Sequence, residues 1–168
     1  MRSANYRAFH RRPPAIVQVR TTALGDLLEP SSHRFVHIDA SHMYDDVRGD
    51  IDITRRILRP GGVVALDDYR TERVPGVAAA VREAVFTKGL HPVCVSANNL
   101  YATWGAGDPL REAVRQWADG QEGMKAVNER IAGEVMVRVA GGHTERRCLA
   151  RQLARELLPR RSPMRTAA

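Results

Sequence analysis

The stretch that decides the fold runs from Phe35 to Tyr69 and reads FVHIDASHMYDDVRGDIDITRRILRPGGVVALDDY. Residues 35–38 form a short apolar strand that ends in one aspartate, and residues 63–66 form a nearly continuous apolar strand that ends in two. Between them, apolar residues recur at helical spacing from Met43 to Leu58, with two acids in the first turn and two arginines in the last. This polarity suits the helix dipole. The order strand, helix, strand predicts a parallel pair covered by helices.

The flanking segments extend this unit on both sides. A short apolar run predicts a strand over residues 16–19, and a helix opening at a proline is predicted over residues 74–86. Residues 92–96 and 100–104 predict an antiparallel hairpin. The chain beyond is predicted to be helical, over residues 110–117, 124–139 and 145–158. The predicted fold is therefore an α/β, Rossmann-like sheet with a C-terminal hairpin and added helices.

Length and charge place limits on the function. The 168 residues suit one domain, and no apolar run reaches the roughly 18 residues that a membrane span needs. The net charge of +7 is concentrated at the ends, because residues 1–20 carry +5 and residues 146–168 carry +6. The mildly acidic middle argues against a basic nucleic-acid groove there. The Arg-rich start has no apolar signal core, so the expected location is cytoplasmic. The two cysteines, Cys94 and Cys148, match no metal or disulfide pattern.

These boundaries predict four segments along the chain. They are an irregular basic lead-in (1–14), a sheet domain (15–105), a helical C-terminal extension (106–158) and a disordered basic tail (159–168).

Four polar residues are predicted to converge at one edge of the sheet. Asp39 follows the first apolar strand, His42 lies three residues later, and Asp67 and Asp68 follow the second strand. Ligands of such sheets bind beyond the carboxyl ends of the strands. Three carboxylates suit a hard divalent cation such as Mg²⁺, and the imidazole suits a general base. The alternative is structural, in which Asp39 to Ser41 cap the next helix and Asp67-Asp68 form a turn.

Three blocks of this sequence resemble the C-terminal half of class I S-adenosylmethionine-dependent methyltransferases. They are residues 35–47, residues 58–69 and Pro75-Gly76-Val77. The nearest branch is the small-molecule O-methyltransferases with a D-x-x-H motif and an acidic pair after R-P-G-G, some of which use Mg²⁺. The predicted hairpin resembles the last two strands of that family, six and seven.

The resemblance implies a role for each residue of the cluster. Asp39, Asp67 and Asp68 would be metal ligands, and His42 would take the proton from the acceptor hydroxyl. Thr22 and Asp39 would lie at the S-adenosylmethionine, with Thr22 near the position where the family usually carries an acid close to the adenine.

The sequence departs from the family pattern at its N-terminal end. The family begins with a strand and a G-x-G loop for the cofactor and continues with a strand whose terminal acid binds the ribose. Residues 16–19 correspond to the third family strand, and the preceding residues carry neither feature. We therefore expect an N-terminally incomplete methyltransferase domain that binds S-adenosylmethionine poorly on its own. A second copy or a complementing chain would fill the open sheet edge.

The implied function is metal-assisted methyl transfer from S-adenosylmethionine to a hydroxyl of a small molecule. One alternative is a non-enzymatic protein that binds nucleic acid or an acidic partner through its Arg-rich ends. Another is a metal-dependent hydrolase, for which the sequence supplies no phosphate cradle or nucleophile elbow.

Overall fold

The computed structural model describes residues 14–131 and 133–141. Its helices are α1 (Thr21–Leu27), α2 (Tyr44–Ile57), α3 (Pro75–Thr87) and α4 (Asp108–Asp119). Its strands are β1 (His33–Ile38), β2 (Leu58–Leu66), β3 (His91–Val95), β4 (Leu100–Thr103), β5 (Met124–Ile131) and β6 (Glu134–Gly141).

The six strands form one mixed sheet in the order β1-β2-β4-β3-β6-β5. β1 and β2 are parallel, and α2 connects them. β4 pairs antiparallel with both β2 and β3, so the predicted hairpin is present and its second strand lies beside β2. The predicted α/β class, with a parallel strand pair and a C-terminal antiparallel hairpin, is confirmed.

The core lies between one face of the sheet and the pair of helices α2 and α3. Val64 and Leu66 of β2 alternate inward and are 0% and 1% exposed. They meet Val47 and Ile51 from α2 and Val81 from α3. These helical residues are spaced so that each helix turns one apolar stripe toward the sheet.

The first half of β2 needs glycine at two consecutive positions. Gly61 has φ +73°, a conformation that side chains rarely adopt. A Cβ on Gly62 would lie 2.9 Å from the carbonyl oxygen of Arg59. The R-P-G-G sequence therefore serves the backbone geometry at the start of β2.

Two of the predicted elements are wrong. Residues 16–19 form no strand, and Ile16 is 89% exposed there. Residues 124–139 were expected to form a helix, but β5 and β6 form an antiparallel hairpin, with Ile131 paired to Glu134. Gly133, at φ +80°, supplies the positive dihedral angle that so tight a connection requires. The extension after residue 106 therefore holds one described helix, α4, followed by a two-stranded addition to the sheet.

Several predictions concern residues that lie outside the described part of the chain. They are nearly all of the basic lead-in (1–14), the helix over residues 145–158, the tail (159–168) and most of both Arg-rich ends. Across residues 14–131 and 133–141, no helix combines the length and apolar character needed to cross a membrane.

Candidate functional site

The parallel pairing of β1 and β2 brings their carboxyl ends to the same edge. Ile38 is in register with Leu66, and the backbone N–H of Asp67 donates to the carbonyl of Ile38 at 3.0 Å. Asp39 therefore follows β1 at the edge where Asp67 and Asp68 follow β2. The sequence-based expectation that the aspartate-tipped strands lie side by side is confirmed.

A side-chain network joins the two consecutive aspartates to a neighbouring loop. The side-chain amide of Asn98 donates to Asp67 Oδ1 at 3.2 Å and to Asp68 Oδ1 at 2.8 Å. The hydroxyl of Thr71 lies 2.8 Å from Asp68 Oδ1 and 2.9 Å from Asn98 Oδ1. This network fixes the orientation of the Asp68 carboxylate.

Asn98 reaches this network because of the strand order. β4 is antiparallel to β2, and Leu100 is paired with Leu66, so the loop before β4 lies beside the residues after β2. The loop is closed by the Ser96 N–H, which donates to the Asn99 carbonyl at 2.9 Å. Sequence reasoning missed Asn98 because it treated the residue only as part of a turn. The predicted hairpin could have indicated Asn98. When the second strand of the hairpin is placed beside β2, the loop before that strand lies beside Asp67 and Asp68.

His42 pairs with the same carboxylate. Its Nε2 lies 3.2 Å from Asp68 Oδ2, with side-chain exposures of 42% for the histidine and 26% for the aspartate. The neighbouring Ser41 Oγ accepts from the Met43 N–H at 3.2 Å and donates to Asp46 Oδ2 at 2.6 Å. Ser41 thus contacts the start of α2, whereas His42 is directed at Asp68.

Asp68 has an unusual backbone conformation and an ionised side chain. Its φ is +56°, in the left-handed region that Asp and Asn tolerate better than most residues. Hydrogen bonds from Asn98 and Thr71, with a smaller contribution from His42, lower the pKa of Asp68 below its ordinary value. The carboxylate is therefore ionised at neutral pH and can hold the His42 imidazole.

We expect Asn98→Ala to raise the pKa of Asp68 toward the ordinary aspartate value, because the largest stabiliser of the ionised form is lost. An aspartate whose pKa is lowered by folding stabilises the protein above its unfolded pKa. That contribution is lost as pH falls through the folded value. Carboxyl ¹³C NMR titration of Asp68 measures the shift. Asn99→Ala is a neighbouring control, and an unchanged Asp68 titration in Asn98→Ala would contradict the assignment.

The predicted metal ligands are not assembled into a metal site. Within residues 14–131 and 133–141, no three His, Cys, Asp or Glu side chains are grouped closely enough to hold an ion. Asp67 and Asp68 are cross-linked by Asn98, whereas Asp39 is exposed on the neighbouring strand. As the side chains lie, the three carboxylates do not fit a bound cation.

A cavity of about 300 Å³ lies beside β1 and is lined by α1 and α2. Its lining is largely apolar, and it includes Thr21 and Asp39, whereas Thr22 is not part of it. Asp50 of α2 also lines the cavity and is 7% exposed. Burial raises the pKa of Asp50, and a hydrogen bond from Thr21 opposes that shift. Of the two predicted cofactor residues, Asp39 therefore borders a cavity and Thr22 does not.

A family model described as a methyltransferase domain matches residues 3–69. The match includes β1, β2 and the aspartates that follow them. This similarity to a methyltransferase domain covers 67 of the 168 residues of the chain.

Two solved structures are similar to part of this chain. One is a protein from Corynebacterium glutamicum, with 18% identity, a TM-score of 0.48, and coverage of 61% of this chain and 52% of that one. The other is the apo structure of CalS11, a TDP-rhamnose 3′-O-methyltransferase of calicheamicin biosynthesis, with 16% identity, a TM-score of 0.43, and coverage of 54% and 40%. This chain thus spans about half the length of these structures or less. No curated protein matches the sequence.

Proposed function

We propose that this chain transfers the methyl group of S-adenosylmethionine to a hydroxyl of a small molecule, with His42 as the general base. The observation that carries the proposal is the 3.2 Å contact between His42 Nε2 and the Asp68 carboxylate. An ionised group that orients the base is an arrangement that assists proton abstraction. The half-exposed imidazole is open to an acceptor from solvent.

In the His42–Asp68 pair, the two ring nitrogens of His42 have different proposed roles. When Nε2–H donates to Asp68, the neutral ring carries its free lone pair on Nδ1. Nδ1 then takes the hydroxyl proton as the acceptor oxygen bonds to the methyl carbon and the bond from that carbon to the cofactor sulfur breaks. Asp68 stabilises the imidazolium that forms, as the carboxylate partner of a base does in other enzymes. The cofactor supplies an activated methyl group.

The cavity beside β1 is the proposed place of the cofactor. Asp39 borders this cavity and also lies at the carboxyl edge of the sheet, so it links the cavity to the His42–Asp68 pair. The lining supplies apolar surface from Leu24, Ile38 and Ile53, which suits a purine ring. Thr22 does not line this cavity, so the cavity does not support Thr22 as a cofactor contact.

We further propose that a divalent metal ion assists the reaction, and this proposal rests on the family resemblance. Asp39, Asp67 and Asp68 would have to move closer together before their carboxylate oxygens could hold Mg²⁺, because no three such groups are close enough in the described residues. The proposed proton transfer to His42 is derived without it.

We also propose that the outer edge of β1 takes up a further strand, from a second copy or from a complementing chain. β1 lies at one end of the described sheet, and Phe35 on it is 55% exposed. An unpaired edge with exposed apolar side chains is a template for strand addition.

Calorimetry and a turnover assay together test the proposed reaction. We expect the full chain to bind S-adenosylmethionine weakly, with a dissociation constant of about 1 mM. We also expect S-adenosylhomocysteine to form when the donor is saturating and hydroxylated small molecules, sugars and phenols among them, are offered as acceptors. Tight binding would contradict the expected weakness of the cofactor site. Methylation of amine or thiol compounds in preference to hydroxyl compounds would contradict the proposed acceptor class.

A further inference from the structure

We propose that Asp50 determines the specificity of the cavity beside β1 by accepting a hydrogen bond from an amino group on the ring that enters it. Asp50 lies in α2 and lines this cavity of about 300 Å³. The role rests on the proposed placement of S-adenosylmethionine in the same cavity, and it names the edge of the purine that the protein recognises. The ring that fits carries an amino group at C6, as adenine does, rather than the oxygen of a 6-oxopurine.

Asp50 is a buried acid with an unfilled acceptor position. The residue is 7% exposed, and within residues 14–131 and 133–141 its Oδ2 atom has no hydrogen-bond partner. A buried carboxylate oxygen without a partner is rare in folded proteins, because its loss of hydration costs free energy that a hydrogen bond would offset. Since this carboxyl group lies beside a cavity, a ligand in the cavity can supply the missing donor.

The neighbouring hydroxyl groups do not fill this position. Thr54, one turn further along α2, donates to the carbonyl of Ile51 at 2.6 Å and lies 3.0 Å from Trp104 Nε1. A hydrogen bond from Thr21 of α1 favours the ionised form, but burial outweighs it, so the pKa of Asp50 stays above its ordinary value. The described residues therefore leave room for one more donor at this carboxyl group.

The wall around Asp50 is apolar and suits a ring. Ile53 and Ile57, three and seven positions later on α2, share the side of the helix that lines the cavity with Asp50. Leu24 of α1 and Val36 of β1 also line it. In a largely apolar site, a few polar groups set the orientation of the ligand, and here one of them is a carboxyl group.

The position of Asp50 along α2 suits the far end of the methyl donor. α2 begins at Tyr44, two residues after His42, and Asp50 lies about 9 Å further along the helix axis. Asp39 borders the cavity and also lies at the carboxyl edge of the sheet. The reacting methyl group can therefore lie at His42 while the purine of the same extended molecule reaches Asp50.

The two kinds of purine present opposite groups to a carboxylate. An ionised carboxyl group only accepts hydrogen bonds, so it pairs with a 6-amino group and not with a 6-oxo group. A 6-oxo ring would place its own acceptor beside the carboxylate and leave both groups unpaired. Because buried unpaired groups oppose binding, we expect the 6-amino form to bind about 10-fold more tightly or better.

NMR titration of the full chain tests this preference. The ligands are S-adenosylmethionine and its deaminated 6-oxo analogue, which differ only at one edge of the purine. In the wild type, the amide signals of Ile53 and Thr54, which line the cavity, should shift at about 10-fold lower concentrations of the 6-amino ligand. Asp50→Asn should bring the ratio of the two dissociation constants close to 1 or reverse it, because its amide can donate to the 6-oxo group. Asp52→Asn makes the same change of charge at an exposed carboxylate of α2 and should keep the wild-type ratio.

Thermal unfolding gives a second measurement that needs no ligand. Asp50→Asn removes a buried group that carries an unpaired charge when ionised, so the midpoint of unfolding at neutral pH should rise by about 2 °C or more. Asp52→Asn should not raise it, because that carboxylate is exposed and paired with Lys88. A lower midpoint in Asp50→Asn would show that the chain itself satisfies this carboxyl group, and it would overturn the proposed role.

The titration also distinguishes a failure of this role from a failure of the proposed function. If S-adenosylmethionine shifts the cavity amides and the two ligands bind equally well, Asp50 does not recognise the ring, and only its role is overturned. If neither ligand shifts those amides, the proposed placement of the cofactor is overturned and the role of Asp50 with it.

Discussion

His42→Ala should lower the rate of methyl transfer about 100-fold or more, because the hydroxyl then loses its proton to solvent rather than to a positioned base. The loss should fall on kcat, while the affinity for S-adenosylmethionine stays near the wild-type value. Formation of S-adenosylhomocysteine, measured with the hydroxyl acceptor that the wild type uses best, gives the rate. Calorimetry gives the affinity for the methyl donor.

The chain offers a closely matched control for this variant. His91 pairs with Glu134 at 3.4 Å and has a side-chain exposure of 40%, against 3.2 Å and 42% for His42 and its partner. It begins β3, whereas the proposed site lies at the end where β3 stops. His91→Ala therefore removes a similar ion pair from the opposite edge of the sheet and should leave the rate nearly unchanged. Equal losses in the two variants would show that His42 acts through stability alone.

The stretch from Phe35 to Tyr69 was predictable because its local signals agree. The apolar strands, the helix polarity and the glycines at the turn all indicate one parallel unit, and such agreement is what makes a segment foldable. The bounds differ chiefly at β2, which begins at Leu58, five residues before the predicted strand. Gly61 and Gly62, which lie outside the predicted strand, are part of β2.

Residues 124–139 show how one periodicity can be mistaken for another. Apolar residues occur often enough in this segment to satisfy a helical template, but Val135, Val137 and Val139 alternate with period two, as a strand requires. β-branched residues also favour strands. The decisive factor is long-range, because β6 pairs with β3 through Cys94 and Val95, a contact that no local pattern reveals. Residues 16–19 show the opposite error. Their apolar run predicts a strand, but it pairs with no strand of the described sheet.

The candidate site was predictable in its backbone placement but less so in its side chains. Parallel pairing alone required Asp39 and Asp67 to share an edge, and the structure places them there. Which carboxylate His42 meets, and which residue joins the two consecutive aspartates, depend on rotamers and on the position of the hairpin loop. Asn98 enters the site from a distant part of the sequence, and its partner strand had to be known before it could be placed.

Asp68→Asn should lower the rate of methyl transfer about 100-fold and remove any stimulation by Mg²⁺. Asparagine keeps the size of the side chain and tolerates the left-handed backbone at φ +56°, so the fold should be retained. The variant loses the negative charge that stabilises an imidazolium on His42 and would supply a metal ligand. Asp68→Ala would add strain at the same backbone angle, which makes asparagine the cleaner substitution.

The two proposed roles of Asp68 can be separated by titrating Mg²⁺ against both variants of the pair. If Asp68 serves only the base, His42→Ala and Asp68→Asn should lose similar amounts of activity, and the double variant should lose little more, because the two residues act as one unit. If it also binds the cation, His42→Ala should keep the stimulation by Mg²⁺ and Asp68→Asn should not. Asp52→Asn, which removes an exposed carboxylate paired with Lys88 at 2.9 Å, controls for the change in charge. Stimulation by Mg²⁺ that persists in Asp68→Asn would remove this residue from the proposed metal ligands, and a wild-type rate would remove it from the mechanism.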